Sequence, residues 1–439
     1  MAAHRNLLVE LAQSISDQAR VIADLLNEQQ LPQPSFTLDA PLKFPEGQDQ
    51  RKLQDARMSL LTSTIALEQL VTGPQDFIMW QSLTVMHDQF VLHALERFGV
   101  FDAVPTDGDI SYPDLAARTP LTEKQVRRVI RHAMTKNLFT EPRPDHVAHN
   151  AFSIAPIKNP LLKPWIGHNL GEMLVASSRL GDAIAKYGDT DDVTRTGLSL
   201  GFGLGGKSMW EWFAMDDDDG RQEKGWRTRR FAQAMEIRGG LDMAHIHNGF
   251  DWKSLGESTI VDLGGSSGHV SMSLAHKFPS LKFIVADFPE LRTPFDEGLP
   301  TELKPRVVFE PTDLLSPQPG RTADIFFLRH ILHDWPDTAA IKILRNIINT
   351  QDGLIRDGTR IIIADSVIPP AGTLPQPLER LITALDLHMW CSSNAGERTQ
   401  EDWIRLFMAA DQRLEVKAFV RPEGSADTFI ELVFRNSKA

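Results

Sequence analysis

His333 lies where a side chain could take a proton from a bound molecule. It follows the apolar stretch 325–328 and precedes a helical pattern that begins near Asp337. This order predicts a loop at the carboxyl end of a strand, where open α/β sheets bind their ligands. Histidine is the side chain best suited to accept a proton near neutral pH. The sequence therefore offers His333 as a candidate general base.

A glycine-rich loop lies upstream of this histidine. The predicted strand 259–263 runs into the loop 264–268 (Gly-Gly-Ser-Ser-Gly) and then into a helical pattern at 269–277. Glycines let a backbone approach a ligand closely, and the N-terminus of the following helix favours negative charge. Asp287 ends the next predicted strand, 19 residues after Gly268, where its carboxylate could accept both hydroxyls of a ribose. The loop and Asp287 together predict a nucleotide-type cofactor site.

Two cofactors would fit such a site. The dinucleotide fingerprint Gly-x-Gly-x-x-Gly is not met, because Ser266 and His269 interrupt it. The loop of S-adenosylmethionine-binding proteins reads acid-x-Gly-x-Gly-x-Gly. Asp262, Gly264 and Gly268 meet this pattern, with Ser266 where the middle glycine is usual. The loop by itself also fits a purely structural turn.

The composition is that of a soluble globular protein with two or three domains: 439 residues, 42% hydrophobic and 24% charged. A formal charge of -12 argues against a nucleic-acid partner, since phosphate binding needs a basic surface. No stretch reaches the roughly 18 apolar residues of a membrane span, and the N-terminus lacks the apolar core of a signal peptide. The single cysteine, Cys391, excludes an internal disulfide and fits a reducing compartment. We expect a cytoplasmic protein with no membrane or nucleic-acid partner.

The last third of the chain alternates predicted strands with helices. The predicted strands are 259–263, 283–286, 307–309, 324–328 and 360–364, followed by 415–420 and 428–434. No clear helix separates the last two. Five strand–helix units and a terminal hairpin predict a doubly wound sheet with one reversed strand.

The N-terminal segment predicts a helix with one apolar face. That face is formed by Leu8, Leu11, Ile15, Ile22 and Leu25. It could pack on the protein's own body or be shared with a second subunit. Residues 27–50 are rich in Gln and Pro, which predicts a linker or an arm lying over another surface.

Residues 75–155 predict three short helices and a hairpin, a winged-helix arrangement. The helices are expected at 90–95, 113–117 and 122–134, the last opened by a capping-box-like Thr122 and Gln125. The strands are expected at 138–140 and 151–153. Three arginines of the third helix could face DNA, but a surface-charged helix is the commoner explanation. They are Arg127, Arg128 and Arg131.

Residues 159–250 are predicted to be mostly helical and are rich in aromatic side chains. These include Trp165, Trp210, Trp212, Phe213, Trp226 and Phe231. Aromatic side chains usually form core, but beside flexible glycines and just before a cofactor loop they could also wall a flat substrate. The acidic run 216–219 invites a metal interpretation. Since consecutive acids rarely converge on one ion, we favour a solvated turn.

Six short blocks in this order carry a family resemblance. They are 261–265 (Val-Asp-Leu-Gly-Gly), 286–289 (Ala-Asp-Phe-Pro), 312–314 (Thr-Asp-Leu), 332–335 (Leu-His-Asp-Trp), 363–365 (Ile-Ala-Asp) and 397–399 (Glu-Arg-Thr). From about Met79 to Val433 the chain resembles the class I, S-adenosylmethionine-dependent O-methyltransferases of the plant caffeate and flavonoid type, in their fungal secondary-metabolite branch. The segment before Gln75 resembles the N-terminal extension of that branch.

The resemblance implies an α/β fold in four parts. These are a helical extension and linker (1–74), a mainly helical, winged-helix-like dimerisation domain (75–158), a helical substrate-pocket connector (159–250) and a C-terminal Rossmann-like methyltransferase sheet (251–439). It also implies a homodimer, in which the winged-helix-like part and the N-terminal arm help to close the partner's pocket.

The resemblance implies residues for each part of the site. The cofactor, S-adenosylmethionine, would be bound by Asp262, Gly264, Gly265, Asp287, Phe288, Asp313, Leu314 and Arg329. Among these, Gly264 would lie against the methionine part, Asp287 would hold the ribose, and Asp313 and Leu314 would bracket the adenine. Arg329 stands where the family usually has lysine.

The catalytic residues implied are His333 as the general base, flanked by Asp365 and Glu397, of which the first is more often glutamate. Phe231, Met235, Asp334 and Trp390 would contact the substrate, and Arg238 would lie near the pocket rim. His330 is interpreted as a packing residue, and no metal is expected.

These implications predict an enzyme that methylates a hydroxyl of a phenolic or polyketide-derived small molecule. Two alternatives stay open. Some relatives keep the cofactor but catalyse dehydration or pericyclic chemistry, and loss of the base would favour that function. A DNA-binding or scaffold protein on a winged-helix frame is the other alternative, against which the cofactor loop and the negative charge argue.

Overall fold

The computed structural model describes residues 6–215, 223–241, 243–318, 323–350, 353–422, 425 and 427–436. They form two compact units. The first comprises the chain up to Gly171 together with Leu374–Glu379, and the second comprises Glu172–Thr373 and the chain from Arg380 onward. The division of the chain after residues 74, 158 and 250 stays a prediction.

The first unit is mainly helical. Its elements are α1 (Leu7–Glu28), α2 (Arg51–Thr72), α3 (Pro74–Arg97), α4 (Val100–Ala103), β1 (Ile110–Ser111), α5 (Tyr112–Ala117), α6 (Glu123–Thr135), β2 (His146–Val147), α7 (Ala155–Lys158) and α8 (Leu162–His168). The apolar stripe of α1 packs on α2, where Ile22 and Leu26 meet Leu53 and Ala56. The stripe thus packs on the protein's own chain at its C-terminal end, whereas Leu8 is exposed. Helix α2 has no counterpart in the prediction.

The winged-helix arrangement is present, but both predicted strands of its hairpin are misplaced: within 138–140, Thr140 forms an isolated bridge with Ala148 and no strand. Helix α6 begins at the predicted capping box, in which Thr122 and Gln125 bond reciprocally. The strand predicted at 151–153 is wrong, because residues 151–153 form a turn. Strand β2 pairs instead with β1. Oδ1 of Asn150 accepts the N–H groups of Phe152 and Ser153, both at 3.0 Å, so the side chain offers the backbone an alternative to strand pairing.

The second unit begins with helices and continues into a sheet with helices on both faces. Its helices are α9 (Leu174–Tyr187), α10 (Gly197–Phe202), α11 (Met209–Phe213), α12 (Trp226–Leu241), α13 (Met243–Asn248), α14 (His269–Lys277), α15 (Arg292–Gly298), α16 (Asp337–Ile348), α17 (Gln376–Ser393, which starts in the first unit) and α18 (Gln400–Ala410). The predicted helical character of residues 159–250 is confirmed. Among the described residues, no helix is both long enough and apolar enough to cross a membrane.

The strands of the second unit follow the prediction closely. They are β3 (Thr259–Leu263), β4 (Lys282–Asp287), β5 (Val307–Pro311), β6 (Ile325–Arg329), β7 (Asn349–Thr350), β8 (Gly353–Leu354), β9 (Arg360–Ile368), β10 (Arg398–Thr399), β11 (Leu414–Val420) and β12 (Asp427–Phe434). The main sheet has the order β11-β12-β9-β6-β3-β4-β5. Strand β12 is antiparallel to both neighbours and is the predicted reversed strand, while β10 adds to β9 in parallel.

Burial on both faces explains why the central strands are continuously apolar. On one face, Leu344 and Ile347 of α16 and Trp403 of α18 pack on the sheet, and on the other Leu274 of α14 does so. Strands β4, β3, β6 and β9 are parallel neighbours. Their carboxyl ends therefore meet at one edge, which carries the glycine loop, Asp287, the His333 turn and Asp365.

Candidate active site

His333 lies in a single helical turn, Leu332–Asp334, immediately beyond β6. The side chain is buried. Its Nδ1 is 2.9 Å from Oε1 of Glu397 and 3.5 Å from Oδ1 of Asp365, and its Nε2 is 3.5 Å from Oδ1 of Asp334. Because a carboxylate oxygen only accepts, Nδ1 carries a proton and donates it to Glu397. Nε2 is then the nitrogen available to a substrate.

The sheet brings the two flanking acids to this histidine. Asp365 lies on β9, the parallel neighbour of β6, and Glu397 directly precedes β10, which pairs with β9. The backbone N–H of Glu397 donates to Oδ1 of Asp386 on α17 at 2.9 Å. The three predicted catalytic residues are thus together, but Asp365 stays beyond hydrogen-bond distance of His333. Its side chain is shorter than the glutamate that the family prefers.

The residue after Glu397 clamps the His333 turn. The guanidinium of Arg398 donates to the carbonyl oxygens of Leu332 at 2.7 Å and Trp335 at 2.8 Å. Its Nε donates to Oδ1 of Asp337 at 2.9 Å. These bonds fix the backbone on both sides of His333. Arg398 belongs to the sequence block 397–399, but the sequence predicts no function for it.

His330 was interpreted as a packing residue, and that interpretation is incomplete. Its Nε2 lies 3.0 Å from Oδ1 of Asp427, and its Nδ1 lies 3.8 Å from Oδ1 of Asp365. Arg329, predicted to lie near the cofactor, has its Nε 3.4 Å from Oδ2 of Asp427. Asp427 starts β12 and carries no signal in the sequence, because only the antiparallel pairing of β12 with β9 brings it to the site.

Burial and neighbouring carboxylates set the acidity of this cluster. Burial alone lowers the pKa of His333, but the carboxylates of Asp365, Glu397 and Asp334 outweigh it and raise the pKa to about 10. Burial raises the pKa of Asp365 to about 7, against the opposing effect of His333. The proton of this pair is therefore held mainly on the imidazole at neutral pH.

Potential ligand atoms of His330, His333 and Asp365 lie within 4.8 Å of one another. Pairing between the imidazoles and the carboxylates accounts for this cluster, and we assign no ion to it. The expectation that the site uses no metal stays a prediction. The acidic run 216–219 lies outside the described residues.

The glycine loop is shaped for close approach of a ligand. Gly264 has φ +76°, and a Cβ there would lie 2.1 Å from Cδ1 of Ile331, next to the base. A Cβ on Gly265 would lie 2.7 Å from Oδ2 of Asp262. Asp262 itself is buried beneath the loop and accepts the hydroxyl of Ser271 at 2.6 Å. Its position suits support of the loop, and a direct contact with the cofactor stays a prediction.

Asp287 connects the loop to the next strand. Its Oδ2 accepts the N–H of Ser266 and its Oδ1 accepts the N–H of Phe288, both at 2.7 Å. A carboxylate has further lone pairs for ribose hydroxyls. Burial raises its pKa to about 6, although the two N–H groups oppose this. Next to Asp287, beyond β5, Asp313 uses its two oxygens to bond the N–H of Leu315 and the hydroxyl of Ser316.

These residues fit S-adenosylmethionine. Gly264 leaves room for the chain of a ligand, Asp287 offers acceptors for a ribose, and Leu314 is partly buried and offers an apolar surface. Both ring nitrogens of His269, the first residue of α14, are buried without a hydrogen-bond partner among the described residues. Burial and the charge of Arg329 lower the pKa of His269 to about 4, so the imidazole is neutral at pH 7. Its ring nitrogens could form hydrogen bonds with a ligand beside the loop.

One aromatic cluster connects the cofactor side to the base side. Trp210 lies 6.4 Å from Phe288 and 6.1 Å from Trp335 between ring centroids, and its ring meets that of Phe231 edge-on at 5.5 Å. Phe213 packs on Phe231 at 5.7 Å. Trp210, Phe213 and Phe231 belong to the aromatic set that could wall a flat substrate, and Trp335 adds a ring that this set did not include; a contact of these rings with the substrate stays a prediction.

The other predicted substrate residues are less well placed in this cluster. Met235 is half-buried on α12, and Trp390 on α17 is 42% exposed. Asp334 lies beside Nε2 of His333, as noted above. Arg238 falls on α12, but its side chain lies outside the described residues. Trp165 belongs to the first unit. The substrate assignments stay predictions.

Comparisons with known proteins bear on this geometry. A family model described as an O-methyltransferase domain matches residues 200–412, and another described as an O-methyltransferase dimerisation domain matches residues 80–163. Among curated proteins, the O-methyltransferase VdtC of Byssochlamys spectabilis is 32% identical over 435 residues, covering 97% of this chain and 98% of its own. The O-methyltransferase aurJ of Gibberella zeae is 31% identical over 433 residues, covering 96% of each chain.

Solved structures share the fold. The crystal structure of OxaC has a TM-score of 0.78 at 20% identity and covers 98% of this chain and 99% of its own. A structure titled "A Pericyclic Reaction enzyme" has a TM-score of 0.71 at 20% identity and covers 97% of this chain and 100% of its own. At this level of identity the fold is shared by proteins of different chemistry.

Proposed function

The chain belongs to the class I, S-adenosylmethionine-dependent O-methyltransferases of the caffeate and flavonoid type, in their fungal secondary-metabolite branch, and we propose that it methylates a hydroxyl of a phenolic or polyketide-derived small molecule with His333 as general base. The observation that carries this proposal is the buried pairing of His333 Nδ1 with Glu397. It fixes the imidazole so that Nε2 is left for the substrate.

The residues divide the reaction between them. His333 Nε2 takes the proton of the substrate hydroxyl, which contributes roughly 10²–10⁴-fold in rate. Glu397 and Asp365 stabilise the imidazolium that forms, since each places a carboxylate near Nδ1. When bound, S-adenosylmethionine supplies an electrophilic methyl group on a sulfonium. The glycine loop and Asp287 would hold the cofactor, whose sulfonium would become a neutral thioether on loss of the methyl group, while Nε2 of His333 would hold the proton of the substrate hydroxyl.

The acidity of His333 shapes this mechanism. Because its pKa is raised to about 10 by the surrounding carboxylates, most of the imidazole is protonated at neutral pH in the protein alone. The neutral form, with a lone pair on Nε2, grows as the pH rises. Positive charge brought close to His333 also favours this form, because it repels the imidazolium. We expect methyl transfer to become faster as the pH rises from 6 toward 9.

The aromatic cluster supports a flat substrate. Trp210, Phe231 and Trp335 present rings between the Phe288 side and the His333 turn. Aromatic faces bind planar rings by stacking and edge contacts. A phenol placed there would have its hydroxyl near Nε2 and Asp334. The substrate is therefore proposed to be a small aromatic molecule, in keeping with the acidic composition that argues against nucleic acid.

The test is mass spectrometry of a panel of phenols incubated with S-adenosylmethionine. Wild type, His333→Ala and the matched control His276→Ala, an exposed histidine paired with Glu302, would be compared. We expect a product heavier by one methyl group with wild type and the control, and its loss with His333→Ala. A methylated product that persists in His333→Ala would refute the base assignment. A product without the methyl group, either isomeric with the substrate or lighter by one water, would instead support the pericyclic or dehydrating alternative.

We also propose a cytoplasmic homodimer formed through the first unit. Helix α3 carries a run of exposed apolar side chains within or next to residues 80–163, the range matched by the dimerisation model. They are Ile78, Met79, Trp80, Leu83, Met86 and Phe90, each more than half exposed. Such a patch is typical of a protein–protein interface. Light scattering should give a dimer for wild type and a monomer for Trp80→Asp/Leu83→Asp. Leu387→Asp, at another exposed apolar position, is the control and should stay dimeric.

A further inference from the structure

His330 stands out among the partly buried titratable groups that the mechanism does not use. It has φ +52°, in the left-handed region that a residue with a Cβ seldom adopts. Its backbone N–H donates to the carbonyl of Ala364 on β9 at 3.0 Å. Strained backbone persists where the surroundings hold it, and it clusters at functional sites. Here the conformation turns the imidazole toward two carboxylates.

Each ring nitrogen of His330 faces a carboxylate. Nε2 lies 3.0 Å from Oδ1 and 3.1 Å from Oδ2 of Asp427, and Nδ1 lies 3.8 Å from Oδ1 of Asp365. Asp427 and Asp365 are at most 1% exposed. Nε2 donates to the carboxylate of Asp427, and Asp365, although too far from Nδ1 for a hydrogen bond, adds a second carboxyl group that stabilises positive charge on the ring whenever it is ionised. This geometry favours a charged His330.

The same atom of Asp365 faces both histidines. Its Oδ1 lies 3.5 Å from Nδ1 of His333 and 3.8 Å from Nδ1 of His330, and the two rings are 5.2 Å apart between centroids. A charge on His330 therefore acts on His333 both directly and by offsetting the charge of Asp365. A cation at this distance lowers the affinity of its neighbour for a proton.

Among the described residues, the elements that face the cluster bring more carboxylates than arginines. Strand β6 and the turn after it contribute Arg329, His333 and Asp334. Strands β9 and β12 contribute Asp365 and Asp427. Glu397 comes from the segment before β10, and its backbone N–H donates to Asp386 of α17. Arg421 acts on Asp427 at longer range, and Arg398 holds the turn carbonyls and Asp337. Neighbouring carboxylates favour a positive charge beside them, so an imidazolium at His330 suits these surroundings.

We propose that His330, held as an imidazolium by Asp427, is a positioning residue that weakens the grip of the surrounding carboxylates on the proton of His333. The base would otherwise keep its proton too strongly to accept one from a substrate near neutral pH. The catalytic benefit of this role rests on the proposed function, whereas the effect of His330 on the proton affinity of His333 does not. It assigns a role to His330 and Asp427 that the family resemblance does not include.

The experiment compares His330→Asn, Asp427→Asn, the double variant and the control His276→Asn, which removes an exposed histidine–carboxylate pair elsewhere. Loss of His330 alone removes one positive charge beside His333, while Asp427 keeps its ion pair with Arg329, so the acid limb of the pH profile of kcat/KM should move upward by on the order of one pH unit. Asp427→Asn releases the proton of His330, and the double variant removes both partners. In these two variants the net charge around His333 changes little, so the acid limb of the pH profile should lie close to that of wild type.

A second readout does not need turnover. In full-length protein labelled with ¹³C at histidine Cε1, NMR titration follows His330 and His333 directly, with resonances assigned by the variants. We expect His330 to be charged at pH 7 and His333 to titrate at higher pH in His330→Asn than in wild type. A neutral His330 at pH 7, or an unchanged titration of His333 in His330→Asn, would overturn the proposal. If no phenol is methylated, the proposed function fails while the titration still decides this inference.

Discussion

Nδ1 of His333 and Oε1 of Glu397 lie 2.9 Å apart although the two residues are 64 positions apart in the chain. The contact depends on β10 pairing with β9 and on Asp386, which receives the backbone N–H of Glu397. It places a proton on Nδ1 of His333, and in the proposed mechanism it leaves Nε2 for the substrate. The acidity and the orientation of His333 are therefore expected to depend on Glu397 and on the residues that hold these two side chains in place.

Glu397→Gln should keep the size of the side chain and remove its charge. Without that charge the imidazolium is less stable, so we expect kcat to fall about 10²–10⁴-fold. The pKa of His333, now raised by Glu397, should also fall, and the acid limb of the pH–rate profile should move to lower pH. Steady-state kinetics across pH 6–10 measure both effects. Glu401→Gln, an exposed residue on α18, is the control; equal losses in both variants would contradict a specific role.

Arg398→Met should loosen the turn that carries His333. It removes the side-chain donor to the carbonyl of Trp335 and one of two donors to the carbonyl of Leu332, which keeps the N–H of Trp335; a buried carbonyl left without a donor costs about 1–3 kcal/mol. We expect a clear drop in Tm together with a loss of kcat. Arg405→Met, which removes a largely exposed arginine paired with Asp402, should change neither by much. Thermal unfolding of the two variants makes the comparison, and an unchanged Tm for Arg398→Met would refute the clamp.

Cofactor affinity should depend on the ionisation of Asp287. Burial raises the pKa of this carboxyl to about 6, and only the ionised form can accept two ribose hydroxyls. A ligand that prefers the ionised form binds more weakly below that pKa, so affinity for sinefungin should fall about tenfold from pH 7 to pH 5. Isothermal titration calorimetry measures this. Asp287→Asn should bind weakly with a flatter pH dependence, whereas Asp296→Asn, at an exposed position, should match wild type. A steep dependence retained in Asp287→Asn would assign the effect to another group.

Gly264→Ala tests how closely the cofactor loop and the base turn fit together. The new Cβ would lie 2.1 Å from Cδ1 of Ile331, and φ +76° is unfavourable for alanine. We expect a loss of about 1–3 kcal/mol in the free energy of unfolding, with weaker cofactor binding. Gly256→Ala carries similar strain at φ +63° without a neighbour within 4 Å, so it measures strain alone. Addition of Ile331→Ala should relieve the clash in Gly264→Ala; no relief would show that Ile331 is not the obstacle.

The sequence by itself determined the sheet and its direction changes. The sequence predicts β3, β4, β5, β6, β9, β11 and β12 within a few residues, because fully buried strands are apolar runs and the loops after β3 and β6 carry recognisable motifs; the two-residue strands β7, β8 and β10 have no counterpart in the prediction. It also determined the helical character of residues 159–250 and the capping box of α6. Local patterns suffice there because the physical cause, burial of one segment against a continuous core, is written into neighbouring residues.

Other features were decided by the tertiary structure alone. Helix α2 was missed, and the strand predicted at 151–153 is a turn because Asn150 bonds the following backbone. Asp427 reaches His330 only because β12 runs antiparallel beside β9, and Arg398 reaches the His333 turn only because β10 joins the same strand. Each of these contacts joins residues far apart in the chain, and no local periodicity records which strands become neighbours. The family motifs therefore identified His333 and the two acids proposed to flank it, whereas Asp427 and the function of Arg398 were revealed by pairing between distant strands.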